Sequence, residues 1–218
     1  MALRPHVRKA TWLDDPIHQH LGRSKVQDSV LSDIRARRYN VVIIETPCSS
    51  LSVAIEPPIR SLDEPYGKTD ALANWGAYLN KHNRLIAFSA AVVMAAHEAG
   101  AMWFVENPAP RSYGPAAWPR KADRVHLWDM PDFIKLKANV PTAESTLVQC
   151  NYGSPFQKMT LILAPAHAAR HLADHLSNYT CACEGHAEQA IGARSAEAAA
   201  YPPKLCQAMA DFIEAATR

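Results

Sequence analysis

Short apolar runs and helically spaced apolar positions alternate along the first half of the chain. Residues 41–45 read VVIIE and residues 102–107 read MWFVEN. Runs of this length and composition predict strands that are buried on both faces. Between them, residues 77–99 predict a long helix that ends at Gly100. A strand, a helix and a second strand predict a parallel pair, because a crossover helix returns the chain to the same end of the sheet.

The rest of the chain extends this pattern into one α/β domain over residues 1–218. Further elements are predicted, in chain order, at 24–38 (helix), 145–155 (strand and turn), 159–164 (strand), 166–178 (helix) and 202–218 (helix that starts at a proline pair). Segments rich in proline, glycine or polar residues are predicted loops: 55–75, 109–124 and 181–195. Residues 126–136 fit either a short helix or a covering loop. We expect a mostly parallel sheet with flanking helices.

Composition places the chain among globular proteins. Its 218 residues suffice for one α/β domain and are too few for two comfortable ones. Because the formal net charge is only +2, no strong overall attraction to nucleic acid or membrane is expected, although a local basic groove is compatible with it. The most apolar region, 85–105, contains His97 and Glu98, so it predicts a buried helix and strand and no membrane span.

Five cysteines are an odd number for a disulfide scaffold, and no secretory signal is recognisable before them. We therefore expect an intracellular protein, in the cytoplasm or the nucleus, where thiols stay reduced.

One of these cysteines directly follows the first predicted strand, in the sequence Thr46-Pro47-Cys48. Ligands of open α/β sheets bind at the carboxyl ends of the strands, so Cys48 is a nucleophile, a metal ligand or a buried apolar residue. The second strand ends in Glu106 and Asn107. Parallel strands place their carboxyl ends together, so a thiol and a carboxyl group should meet there. Such a pair supplies a nucleophile and a proton donor.

Four short motifs, in this order, resemble those of DNA cytosine-5 methyltransferases. PCSSLS at 47–52 resembles their Pro-Cys-Gln-x-Phe-Ser loop, and ENP at 106–108 resembles their Glu-Asn-Val loop. NYGSPFQKMT at 151–160 is similar to their Asp-Tyr-Gly-Val-Pro-Gln-x-Arg-x-Arg segment. AAAYPPKLCQAMADFI at 198–213 is similar to their closing Gly-Asn-Ala-Val-Pro-Pro-x-Leu helix.

The resemblance implies a Rossmann-like methyltransferase fold and methyl transfer from S-adenosylmethionine to C5 of cytosine in DNA. The target base would leave the helix stack and enter the site. By analogy, Cys48 would attack C6 of the base and Glu106 would protonate or hydrogen-bond N3. Asn107 would hold the loop, and Lys158 would stand at the first arginine of the family's Arg-x-Arg pair.

The resemblance also implies ligand-binding residues. Those for the cofactor are Asp14, Asp33, Ile34 and Pro47. Those for the substrate are Ser49, Ser52, Arg84 and Thr160. Because the reaction needs a thiolate near neutral pH, we expect Arg84 or Lys158 to lower the pKa of Cys48 from about 8.5.

The chain departs from the family at several positions. No Phe-x-Gly-x-Gly cofactor loop precedes residue 40, so the first strand of the family is expected to be missing or altered. Ser49 stands in place of a glutamine, and Lys158 and Thr160 stand in place of the arginine pair. Lysine does not reproduce the planar fork of arginine. Residues 161–197, before the closing helix at 198–218, leave room only for a reduced target-recognition segment.

Other interpretations stay open. The chain is also compatible with a catalytically inactive relative that binds nucleic acid or a partner, or with a truncated methyltransferase reading frame of a mobile element. The chain is likewise compatible with a second chain that completes the cofactor site. Cys181, Cys183 and His186 are weak candidates for a zinc site, because their spacing is unusual and no fourth ligand is evident.

Overall fold

A computed structural model describes residues 21–110, 112, 123–178, 180, 181, 183 and 197–218. The helices are α1 (Ser24–Arg35), α2 (Leu72–Glu98), α3 (Pro131–Asn139), α4 (Ala169–Leu176) and α5 (Pro203–Ala216). The strands are β1 (Val41–Glu45), β2 (Met102–Pro108), β3 (Thr142–Val148) and β4 (Met159–Pro165). The prediction of an α/β fold with flanking helices is confirmed.

The four strands form one mixed sheet in the order β1-β2-β4-β3. β1 and β2 are parallel, with Glu45 opposite Glu106 at their carboxyl ends. β4 is antiparallel to both β2 and β3. The prediction of a mostly parallel sheet is therefore wrong. The connection 149–158 is too short for a crossover, so β4 turns back beside β3.

Each face of the sheet is covered by its own set of helices. On one face, Ile34 of α1, Ile86 of α2 and Phe133 of α3 belong to a core that includes side chains of β1, β2 and β4. On the other face, the rings of Phe104 in β2 and Phe212 in α5 meet edge to face, with centroids 5.9 Å apart. β2 is consequently buried on both faces, as predicted.

β1 lies at the edge of the sheet. Ile44 is buried, whereas Ile43 is 44% exposed. The prediction that both faces of this strand are covered is wrong, because an apolar run does not reveal whether another strand lies alongside it. The described residues leave the outer edge of β1 without a neighbouring strand.

The predicted helices are found with shifted ends. α2 begins five residues before the expected start at 77, and Gly100 follows it with a φ of +72°, as a helix-ending glycine does. The ambiguous segment 126–136 leads into α3, whose first residue is Pro131. Much of the expected recognition segment 161–197 is structural, because it contains the end of β4 and all of α4. None of the described helices has both the length and the hydrophobicity that crossing a bilayer requires.

Candidate active site

The candidate site lies where β1 and β2 end side by side. The loop that leaves β1 carries Cys48 and is attached to β2 by one buried hydrogen bond. The Nδ2 atom of Asn107 donates to the backbone oxygen of Thr46 at 2.7 Å. Asn107 is only 3% exposed, so this bond is shielded from water. Asn107 therefore fastens the Cys48 loop to β2, and the resemblance implies such a role for this residue.

A buried arginine fixes the other side of the same loop. Arg60 donates from Nε to the backbone oxygen of Ser50 at 3.2 Å and from Nη2 to its hydroxyl at 3.0 Å. Its Nη1 atom donates to Oδ1 of Asn83 in α2 at 2.7 Å. Burial lowers the pKa of Arg60 to about 10. Sequence reasoning missed Arg60, because a lone arginine in the predicted loop 55–75 carries no signal of its partners.

Glu106 and Lys158 face each other within the site. The Nζ atom of Lys158 lies 3.8 Å from Oε1 of Glu106, whose side chain is 8% exposed. Within the described part of the chain, Oε1 of Glu106 has no hydrogen-bond partner. A buried carboxyl oxygen without a partner is costly unless a ligand or water satisfies it. Oε1 of Glu106 therefore faces the charge of Lys158 and can still accept a hydrogen bond from a bound molecule.

Two further side chains, missed by sequence reasoning, belong to this cluster. Burial and the neighbouring charge of Glu106 raise the pKa of Glu45, and the Tyr201 hydroxyl and Lys158 oppose that rise. Burial and the two carboxylates raise the pKa of Tyr201, so its hydroxyl stays protonated and donates to them. Glu45 could have been predicted from the strand register, because it is the last residue of β1 and lies directly opposite Glu106 of β2. Tyr201, just before α5, gave no such signal.

The thiol of Cys48 experiences opposing influences. Desolvation by the surrounding protein raises its pKa, although the residue is exposed on one side; Lys158 lowers the pKa and Glu106 raises it. The net direction is upward, so the prediction of a lowered pKa is wrong: desolvation outweighs the cation. Lys158 does lower the pKa of Cys48, as expected. Arg84 instead donates from Nη2 to the backbone oxygen of Gly22 at 3.0 Å.

The described residues predicted for the cofactor do not gather at this site, apart from Pro47 in the Cys48 loop. Ile34 is 1% exposed and belongs to the core. Asp33 pairs with Arg38 at 3.0 Å, near the end of α1 that leads to the start of β1. That is the opposite end of the strand from Cys48. Asp14 lies outside the described residues.

The residues predicted to bind the substrate also differ in whether they lie at this site. Ser49 lies in the loop, where its hydroxyl accepts from the Tyr78 hydroxyl at 3.0 Å. The Ser52 hydroxyl accepts from the backbone N–H of Ala54 at 3.2 Å. Thr160 is fully buried and its hydroxyl accepts from Gln149, so a substrate cannot reach it.

Of the weak zinc candidates, Cys181 and Cys183 lie next to Cys150. His186 lies outside the described residues.

No protein-family model, curated protein or solved structure matches the chain.

The charges around Cys48 predict opposite effects of two substitutions on its reactivity. Lys158→Met removes the cation that lowers the pKa of Cys48, so the pKa should rise further; Glu106→Gln removes a negative charge, so it should fall. The thiolate is the reactive form, so alkylation at a fixed pH should slow in the first variant and quicken in the second. Peptide mapping by mass spectrometry at a series of pH values gives the rate at Cys48 alone. If alkylation of Cys48 changed in the same direction in both variants, the placement of Lys158 and Glu106 beside the thiol would be contradicted.

Proposed function

We propose that this chain performs the base-attacking step of a DNA cytosine-5 methyltransferase, with Cys48 as nucleophile and Glu106 as proton donor. The observation that supports this most directly is the convergence of Cys48, Glu106 and Lys158 at the carboxyl end of the parallel strand pair. A role in binding alone would not require a thiol beside a buried carboxyl group whose Oε1 atom has no hydrogen-bond partner among the described residues.

The proposed step is a conjugate addition to a cytosine that has left the helix stack. The Cys48 thiolate forms a bond to C6, and the C5=C6 double bond shifts to C4=C5. The electron pair of the C4=N3 double bond moves to N3, which takes a proton from the carboxyl group of Glu106. C5 then has the nucleophilic character of an enamine carbon. Lys158, at 3.8 Å, stabilises the carboxylate that Glu106 becomes.

S-adenosylmethionine, the methyl donor that the resemblance implies, does not fit the described residues. Asp33 is paired with Arg38, and Ile34 is packed in the core. The outer edge of β1, with the exposed Ile43, offers backbone groups to which a further strand can pair. We therefore assign the donor site to a second chain that adds to this edge.

The addition step can be tested without a methyl donor. Once C6 is attacked, C5 can take a hydrogen from water, and reversal then releases the original hydrogen of the base. DNA that carries tritium at cytosine C5 should therefore release it into water in the presence of the 218-residue chain. Absence of release by a folded chain that binds DNA would contradict the proposal.

Calorimetry with the chain alone tests the assignment of the methyl-donor site to a second chain. Titration with S-adenosylmethionine, and with S-adenosylhomocysteine as the comparison, should show no binding at micromolar concentrations. Micromolar binding would overturn the assignment to a second chain while leaving the addition step intact.

A catalytically inactive module that binds nucleic acid is the second candidate. It is favoured by the same lack of fit between the described residues and the cofactor. It predicts DNA binding that is unchanged in a Cys48→Ser variant, together with no tritium release by either protein.

A further inference from the structure

Three cysteines that the proposed reaction does not use meet just after the carboxyl end of β3. Cys150 lies in the turn Gln149–Tyr152, directly after that strand. Cys181 and Cys183 follow α4 and return to this turn. The three Sγ atoms all lie within 4.8 Å of one another, and those of Cys150 and Cys181 are 3.5 Å apart.

Hydrogen bonds that do not involve the thiols hold the two segments of this cluster together. The N–H of Val148 donates to the backbone oxygen of Asn178 at 2.9 Å. The Nδ2 atom of Asn151 donates to Oδ1 of Asn178 at 2.7 Å and to the backbone oxygen of Thr180 at 2.9 Å. The segment that carries Cys181 is therefore fastened beside Cys150, and the thiols converge in a preformed arrangement.

We propose that Cys150, Cys181 and Cys183 bind one zinc ion. Zinc favours thiolate ligands at about 2.3 Å, and tetrahedral geometry then separates the sulfurs by about 3.8 Å. The observed 3.5 Å between Cys150 and Cys181 is close to this value, and only small movements would bring Cys183 to it. The described residues supply three ligands, which leaves the fourth position to water or to a ligand from elsewhere.

A disulfide fits the geometry less well. The sulfur atoms of Cys150 and Cys181 would have to close from 3.5 Å to about 2.05 Å, and Cys183 would then have no part in the cluster. Zinc uses all three sulfurs.

The metal would have a structural role. The same turn connects to the candidate active site, because the N–H of Gln149 donates to the backbone oxygen of Lys158 at 2.9 Å. Zinc would fasten the segment after α4 to this turn and so stabilise the turn that binds the backbone of Lys158. This role does not depend on the reaction proposed for Cys48.

Metal analysis of the full chain, produced with zinc in the growth medium, tests the proposal. We expect about one zinc ion per chain, and its loss in Cys150→Ser and in Cys181→Ser. Cys206→Ser is the matched control and should retain zinc, because the Cys206 sulfur lies near the backbone oxygen of Tyr201, outside the cluster. Full zinc occupancy in Cys181→Ser, or a Cys150–Cys181 disulfide in the isolated protein, would overturn the proposal.

Removal and return of the metal in the unaltered chain avoids the problem of variants that do not fold. A chelator should expose three further reactive thiols beyond Cys48 and Cys206 and should lower the melting temperature; added zinc should reverse both effects. Cobalt(II) in place of zinc should show thiolate-to-metal charge-transfer absorption. A chain that takes up neither metal would overturn the proposal.

Discussion

Replacement of Cys48 by alanine is expected to reduce tritium release from cytosine C5 by about a thousandfold or more, to the background level. The reason is that no other group in the described site can form the bond to C6. Stability should change by less than about 0.5 kcal/mol, because the residue is exposed and its loop is held by Asn107 and Arg60. The measurements are the initial rate of release and thermal unfolding.

Cys206→Ser provides the control for this experiment. It removes a thiol that contacts the backbone oxygen of Tyr201, and a serine hydroxyl can keep this contact, so the rate of release should stay unchanged. Release by Cys48→Ala at the rate of the unaltered chain would refute the role of Cys48 as nucleophile.

Replacement of Glu106 by glutamine is expected to slow tritium release by about 100- to 10,000-fold, because an amide cannot deliver the proton that N3 requires. The same change should quicken alkylation of Cys48, since it removes a charge that raises the pKa of the thiol. The two rates, measured on the same protein, should therefore move in opposite directions.

Thermal unfolding of the same variant separates loss of the proton donor from collapse of the site, because collapse would also quicken alkylation by relieving the desolvation of the thiol. Glu144→Gln is a matched control, because Glu144 is also a strand carboxylate beside a lysine, with Oε1 lying 3.3 Å from Nζ of Lys137. It should leave both rates unchanged. Unaltered tritium release in Glu106→Gln would remove Glu106 from the mechanism.

Most elements could be predicted from the sequence, because their signals are local. The apolar run of β2, the glycine after α2 and the proline at the start of α5 each reflect the conformational preference of a few neighbouring residues. The pairing of strands is not local. The apolar run of β1 was interpreted as an interior strand, yet β1 lies at the edge of the sheet.

The candidate site was predictable to the extent that it depends on a parallel pair of strands. Cys48, Glu106 and Asn107 follow from two adjacent strands whose carboxyl ends coincide. The partners supplied by distant loops could not be predicted in this way: Arg60 reaches Ser50 across the surface loop, and Tyr201 approaches from the segment before α5. Such contacts depend on how the loops return to the sheet.

By itself, the sequence determined the α/β class, the strand ends that carry the thiol and the carboxyl group, and the approximate positions of every described helix except α3, since these depend on local spacing. Only the tertiary structure decided the antiparallel place of β4 and the convergence of Cys150 with Cys181 and Cys183. It also decided the direction of the Cys48 pKa, because desolvation and charge are sums over residues far apart in the chain.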